Sequence, residues 1–353
     1  MTENTFHPQI EYSKLNKNSM YVIDVRSPEE FEEFHIPNSI NVPLFSNEER
    51  KEIGTIYKQV SPGAAKKRGL FYYANKLPQL YDSWIELEER YNGKHPVVMC
   101  ARGGMRSRAF VSMMRTMGIN AFQLTGGIRS IREDVRKKLE YFSTVDWNCI
   151  VIAGNTGTGK TEWLRRLKEK NYPVIDLEGF ANHRGSIFGH IGLPNQSQKQ
   201  FEYELVHALN PNVESKTIII EAESKRIGKI IVPPFLIKRK EMGQVIEIVD
   251  CMEKRVERIE KEYKPTMYHE EIIEAYACIR KRLSKDAQLV IDDSFSKKDY
   301  KEAFTSLLSN YYDPKYDFKM RDYHSSDYCT INISKLTDAE ALQGIESHIK
   351  RYL

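Results

Sequence analysis

Cys149-Ile150-Val151-Ile152-Ala153-Gly154-Asn155-Thr156-Gly157-Thr158-Gly159-Lys160-Thr161 is the stretch on which the reading of the fold turns. Its first five residues are an apolar run of the length and β-branched character of a buried strand. The next eight spell GxxxxGK[ST], and Glu162 to Lys168 can continue as a helix, so the full strand, phosphate loop and helix context is present. Gly154, Gly157 and Gly159 let the backbone wrap around a di- or triphosphate, and together with Asn155, Thr156 and Thr158 they present amide N–H groups to it. Lys160 adds a mobile positive charge. The Thr161 hydroxyl is placed to complete a Mg²⁺ shell, and no further metal site is assigned.

Downstream of this loop, apolar runs at Tyr172 to Leu177, Thr217 to Ala222, Val245 to Val249 and Gln288 to Asp292 alternate with helical stretches. This alternation predicts an α/β fold in which a parallel sheet is wound on both faces. Three acidic strand ends compete for the carboxylate that would assist the loop. Glu221 with Glu223 leads, because Ile218-Ile219-Ile220 is the cleanest buried run; Asp176 with Glu178 comes second, and Asp292 is read as a solvated acid. Asp176 to Ser186 packs acid, His, Arg and Gly after a strand, a composition suited to a substrate loop, with His183 and Arg184 as binding or proton-transfer candidates.

Ser224 to Lys240 carries Lys225, Arg226, Lys229, Lys238, Arg239 and Lys240 without an acid, which suits either an RNA backbone or plain solvated surface. Met252 to Glu262 alternates Glu with Lys and Arg at helical spacing and is expected to be an exposed, salt-bridged helix with no functional part. Tyr311, Tyr312 and Tyr316 offer faces able to stack on bases, a packed C-terminal turn being the plainer reading.

Upstream, Met20 to Val25 reads as a strand, and Ser27-Pro28-Glu29-Glu30-Phe31 as a capped helix start with Pro at the first position. A second apolar run, Pro96 to Met99, ends on Cys100, which places the thiol at the C-terminal tip of a buried strand. Arg102, Gly103, Gly104, Arg106 and Ser107 follow, and then an amphipathic segment from Arg108 to Met117. A Gly-containing loop aimed at a helix N-terminus forms an anion nest that favours thiolate, and two arginines add charge. Such a thiolate can attack sulfur or selenium and hold it as a persulfide or perselenide. Cys149, Cys251, Cys278 and Cys329 lack these neighbours and are expected to be small core residues.

With 353 residues the chain is long for one core, and two domains are expected: 1–138, a linker at 139–147, and 148–353. A 41% hydrophobic and 29% charged composition belongs to a globular protein. No apolar stretch spans a bilayer and the N-terminus lacks a signal-peptide pattern, so a cytoplasmic protein without membrane contact is expected. The five cysteines have neither zinc-knuckle nor CxxC spacing and should be reduced. A net charge of +4 decides nothing about a polyanionic partner.

Ile23 to Phe31, His35-Ile36-Pro37, the Cys100 loop and Thr125-Gly126-Gly127 resemble the successive signatures of a rhodanese domain. The loop reads Cys-Ala-Arg-Gly-Gly-Met-Arg where common single-domain rhodaneses resemble Cys-Arg-x-Gly-x-Arg, which points away from thiosulfate as substrate. The order of this loop, the phosphate loop, Asp176 to Ser186 and Glu221-Ala222-Glu223-Ser224-Lys225-Arg226-Ile227-Gly228 strongly resembles the tRNA 2-selenouridine synthase family. The resemblance implies that the sulfur of a wobble 2-thiouridine in tRNA is alkylated by geranyl diphosphate, and that the S-geranyl group is then replaced by selenium from selenophosphate. It implies that Lys160 and Thr161 hold the diphosphate, and that Cys100 carries selenium with Arg102 and Arg106 on the anion. An apolar groove near Phe188, Ile191 and Leu193 would take the geranyl chain, and an enzyme supplying selenophosphate would be a partner. The rival expectation is a nucleotide-hydrolysing P-loop protein whose rhodanese domain is regulatory or a plain sulfurtransferase.

Overall fold

A computed structural model describes residues 7–319 and 327–353, and the chain divides into two units, Met1–Lys138 and Leu139–Leu353. In the first, the order is β1 (Gln9–Ile10), β2 (Met20–Asp24), α1 (Pro28–Glu33), β3 (Ile40–Asn41), α2 (Asn47–Gln59), α3 (Pro62–Arg90), β4 (His95–Met99), α4 (Met105–Thr116), β5 (Phe122–Leu124) and α5 (Gly127–Phe142). The sheet is wholly parallel, in the order β1-β5-β4-β2-β3. In the central β4, Val97, Val98 and Met99 are fully buried, the continuous apolar run of a strand covered on both faces. Ser27 starts α1 with a capping box closed by Glu30, and Pro28 occupies the first turn, as expected. The expected linker at 139–147 begins inside α5, which runs to Phe142.

The second unit contains β6 (Asn148–Ala153), α6 (Lys160–Glu169), β7 (Val174–Ile175), α7 (Leu177–Ala181), α8 (Gln198–Leu209), β8 (Thr217–Glu221), β9 (Arg226–Ile227), β10 (Ile230–Ile231), α9 (Pro234–Glu241), β11 (Gln244–Val249), α10 (Met252–Tyr263), α11 (His269–Arg280), α12 (Lys285–Ser296), α13 (Tyr300–Leu307), α14 (Asp313–Lys319), β12 (Tyr328–Asn332) and α15 (Asp338–Ile349). The main sheet is parallel, in the order β12-β11-β6-β8-β7, and β9 and β10 pair as a small antiparallel hairpin. The phosphate loop therefore leaves the central strand, between two strands whose C-terminal ends flank it.

Two expected strands need correction, and one strand was not expected. The run Gln288 to Asp292 is helical, not a strand: Ser284 caps α12, and Ala287, Ile291, Ser294 and Phe295 bury one helical face. A five-residue apolar run carries too little periodicity to separate helix from strand. The fifth strand is β12, where only Ile331 is buried, so its sequence showed little apolar signal. The strand expected at Tyr172 to Leu177 shortens to Val174–Ile175, because Asp176 caps α7 by accepting the Gly179 N–H at 2.8 Å.

Helices α10 to α13 build a separate apolar cluster that includes Phe188, Ile191, Ile259, Tyr263, Phe304, Leu307 and Leu308. Phe188 and Ile191 are core residues of this cluster, so the open groove expected there is reduced to a small recess beside Phe188. Among the described residues, no helix is long and apolar enough to cross a membrane.

Candidate active sites

Cys100 follows β4 directly and is almost fully buried. Its sulfur receives the Gly104 N–H at 3.3 Å and lies 3.2 Å from the Ser107 hydroxyl. Gln123 Nε2 donates to both Ser107 Oγ and the Gly103 carbonyl, at 2.9 Å each, and so fixes the loop from β5. The Thr125-Gly126-Gly127 turn that follows β5 also packs against the loop. A β-carbon on Gly127 would stand 2.1 Å from the Cys100 carbonyl oxygen, and φ there is +56°, so only glycine fits. Burial pushes the Cys100 thiol up. The Ser107 hydroxyl, the backbone N–H groups of Ser107 and Arg102 and the charge of Arg106 outweigh it, and the thiol ionises below its ordinary range.

The two arginines differ. Arg102 is exposed at the rim, whereas Arg106 is anchored to Glu30 at 2.7 Å, with Arg50 on the same carboxylate at 3.5 Å. Glu30 and Gln123 thus belong to the site, though the sequence did not single them out. Cys149, by contrast, is raised to about 12 by burial and is an inert core thiol.

In the second unit, Gly154 to Thr161 joins β6 to α6. Gly154 has φ +144°, and a β-carbon there would meet the Ile248 carbonyl at 2.4 Å, so glycine lets the loop lie against β11. Lys160 Nζ donates to the Gly154 carbonyl at 2.8 Å, and the Tyr316 hydroxyl accepts the Gly154 N–H. Thr161 Oγ donates to Glu178 Oε2 at 3.0 Å, and the Glu178 amide donates to Glu221 Oε1 at 2.6 Å. Glu221 Oε2 is buried without a hydrogen-bond partner. The carboxyl oxygens of Glu178 and Glu223 converge on Gly185, where a β-carbon would lie 2.1 and 2.8 Å from them. Burial first, then the neighbouring carboxylates, hold Glu178 and Glu221 well above the ordinary range, with Lys160 opposing.

His183 Nδ1 accepts the Gly185 N–H at 3.1 Å, which leaves Nε2 to carry the proton of the neutral ring. Burial, and then the charges of His190 and Arg184, outweigh the pull of Glu223 and lower its pKa, so the neutral form is favoured. Arg184 pairs with Glu262 at 3.1 Å, donates to the Ile191 carbonyl at 2.8 Å and lies over the Tyr263 ring. These groups line a cleft of about 1270 Å³ with Lys160, Thr161, Glu178 and Glu223.

Helix α10 is not the idle exposed helix expected of it. Arg255 is buried, donates to the Thr156 carbonyl at 2.9 Å and pairs with Asp313 at 2.6 Å; Arg258 donates to the Gly157 carbonyl at 3.1 Å and pairs with Asp250 at 2.6 Å. Charge alternation signalled a helix, but nothing local showed that two of its arginines reach a loop about a hundred residues away. Tyr311, Tyr312 and Tyr316 line the same cleft. Asp292 pairs with Arg280 at 2.5 Å and accepts from the Tyr276 hydroxyl at 2.9 Å; it is a helix acid with partners rather than a strand-end one. Among the described residues, no group of three or more His, Cys, Asp or Glu is arranged to hold a metal ion.

Residues 147–341 match the family model of the tRNA 2-selenouridine synthase AAA domain, and residues 9–134 match that of the rhodanese-like domain. A tRNA 2-selenouridine synthase of Sulfurovum sp. is 30% identical over 97% of this chain and 98% of its own length. Those of Proteus mirabilis and Shewanella pealeana are 32% and 30% identical, over 87% and 89% of this chain and 91% and 92% of theirs. The chain belongs to the tRNA 2-selenouridine synthase family.

The basic segment of this family member divides in two. Lys225, Arg226 and Lys229 are exposed on and beside the β9–β10 hairpin, and Lys238 is exposed on α9. Arg239 is ion-paired with Asp146, and Lys240 is buried with its ammonium donating to the Glu223 carbonyl. The last two therefore leave the set able to meet an RNA backbone. Lys240 instead holds one of the cleft acids in place.

Proposed function

We propose that this protein converts wobble 2-thiouridine in tRNA to 2-selenouridine in two steps. In the first, the thiouridine sulfur attacks the diphosphate-bearing carbon of geranyl diphosphate. The carbon–oxygen bond breaks, diphosphate leaves with the electron pair, and the ring nitrogen loses its proton. Lys160 and the loop amides offset the charge that grows on the departing diphosphate. Thr161 and Glu178, side by side, fit a Mg²⁺ accompanying that diphosphate, whose charge would draw the proton from Glu178. Such an ion would supply Lewis-acid stabilisation of the leaving group.

In the second step, selenium delivered by selenophosphate bonds to the ring carbon, geranylthiolate leaves with the carbon–sulfur electron pair, and water takes the phosphoryl group. Alkylation makes this feasible because a thioether sulfur leaves more readily than a thiocarbonyl one. Cys100 and its nest serve this second step, with Arg106 and Arg102 favouring the anionic selenium species.

The observation that carries the reading is that one chain of this family holds both a thiol biased toward thiolate and a phosphate loop backed by buried acids. Mass analysis of 2-thiouridine tRNA incubated with protein and geranyl diphosphate tests it: the tRNA should gain a geranyl mass, and then exchange it for selenium when selenophosphate is added. ATP or GTP turnover that depends on Lys160 and ignores geranyl diphosphate would replace this reading with a nucleotide switch.

A further inference from the structure

The phosphate cleft has an apolar extension. Thr156 of the phosphate loop, Ile259 and Tyr312 line both the cleft and a small recess behind it. Phe188, Phe304, Leu307 and Leu308, all core residues, complete its wall with Ser186 and Tyr263, whose hydroxyls are hydrogen-bonded to each other at 2.7 Å and leave the exposed lining apolar. Its volume is about 10 Å³, room for one group the size of a water or methyl. The atoms lining such a void lack close neighbours on one side.

Two further features mark the same wall. Leu308–Tyr312 forms a π-helical turn between α13 and α14, a local irregularity that helices retain mostly where function needs it. Within that turn, Tyr312 buries its hydroxyl beside Ser186 and Ile187.

We infer that this recess receives the far end of the hydrocarbon tail of a prenyl diphosphate held by the phosphate loop, with Phe304, Leu307 and Leu308 setting the tail length that is accepted. The inference rests on the proposed alkylation step and adds to it the wall that measures the donor. The tail has a fixed reach because its diphosphate end is anchored at Lys160. Thr156 belongs both to the loop and to the recess, and Tyr263 and Tyr312 line both cleft and recess, so the two are contiguous along an aromatic wall. Filling the recess gives its lining atoms the neighbours they lack, whereas a longer tail must displace close-packed core side chains.

The test measures transfer to 2-thiouridine tRNA from dimethylallyl, geranyl and farnesyl diphosphates by the wild-type protein and by the variants Leu308→Ala and Phe304→Leu. The wild type should favour the geranyl donor. Leu308→Ala should raise the farnesyl-to-geranyl ratio of kcat/KM by about tenfold or more, the scale on which an apolar pocket discriminates small differences in chain length. Affinity for inorganic pyrophosphate, which lacks a tail, should stay as it is. Phe304→Leu is the milder change and should move the ratio the same way; it keeps the test decisive if Leu308→Ala fails a thermal-melt check of folding. A folded, pyrophosphate-binding variant with an unchanged ratio overturns the recess assignment alone. If the wild type transfers no prenyl group from any of the three donors, the alkylation reading falls, and the recess assignment falls with it.

Discussion

Thr161 Oγ donates a 3.0 Å hydrogen bond to Glu178 Oε2, tying the last residue of the phosphate loop to the acid that opens α7. Glu221, the acid the strand pattern favoured, stands behind Glu178 and accepts its amide instead. Helix α7, which follows β7, and the neighbouring strand β8 therefore supply two layers of carboxylate to one loop.

That layering has a stability signature. Glu221 is buried with its pKa raised above the ordinary 4.5, by burial first and then by Asp176 and Glu223. Between 4.5 and the raised folded value the native state holds a proton that the unfolded chain has lost, so stability is full at low pH and falls as pH rises through this window. Each such proton contributes a slope of about 1.4 kcal/mol per pH unit. Glu221→Gln keeps the acceptor for the Glu178 amide and removes the titration. We expect thermal melts across pH to show a flatter decline and a higher Tm above neutrality; an unchanged slope would rule out Glu221 as the titrating group.

Ser107 is the leading favourable influence on the Cys100 sulfur, against burial. Ser107→Ala should move the iodoacetamide alkylation profile of Cys100 to higher pH and slow the reaction near neutrality about fivefold, the worth of a hydrogen bond of about 1 kcal/mol. Cys100→Ser should abolish selenation while leaving geranylation measurable by tRNA mass.

Lys160→Ala should remove both activities, because alkylation precedes selenation. A loss of about a hundredfold or more in geranylation is expected for a preorganised charge on the leaving group. Calorimetry with inorganic pyrophosphate separates this from misfolding: binding should be weakened while the melting curve is retained.

Buried Arg255 pairs with half-buried Asp313 and also props the Thr156 carbonyl. Asp313→Ala should cost about 3 kcal/mol in chemical denaturation by leaving the guanidinium uncompensated. Diphosphate affinity should fall with it, and an Arg255→Met variant should lose the loop support without the stranded charge.

Replacing Lys225, Arg226 and Lys229 together with Glu should weaken tRNA binding and lower the dependence of log affinity on log salt by about 0.7 to 0.9 for each phosphate that is no longer neutralised. An unaltered salt slope in a filter-binding titration would remove the β9–β10 hairpin from the RNA surface.

The chain's own order of residues determined the two parallel α/β units, the strand before Cys100 and the phosphate loop, because each rests on local signals: apolar runs, capping residues and glycines within a few positions of the chemistry. It also carried the family through motifs contiguous in the chain. Only tertiary structure decided that Glu178 meets Thr161, that Arg255 and Arg258 brace the loop, that Lys240 is buried beneath Glu223, and that Gln288 to Asp292 is helical while Tyr328–Asn332 completes the sheet. The physical reason is common to all four. A carboxylate, an arginine or a short apolar run has the same local appearance whether it faces solvent or a buried partner, and the partner is chosen by packing between segments far apart in the chain.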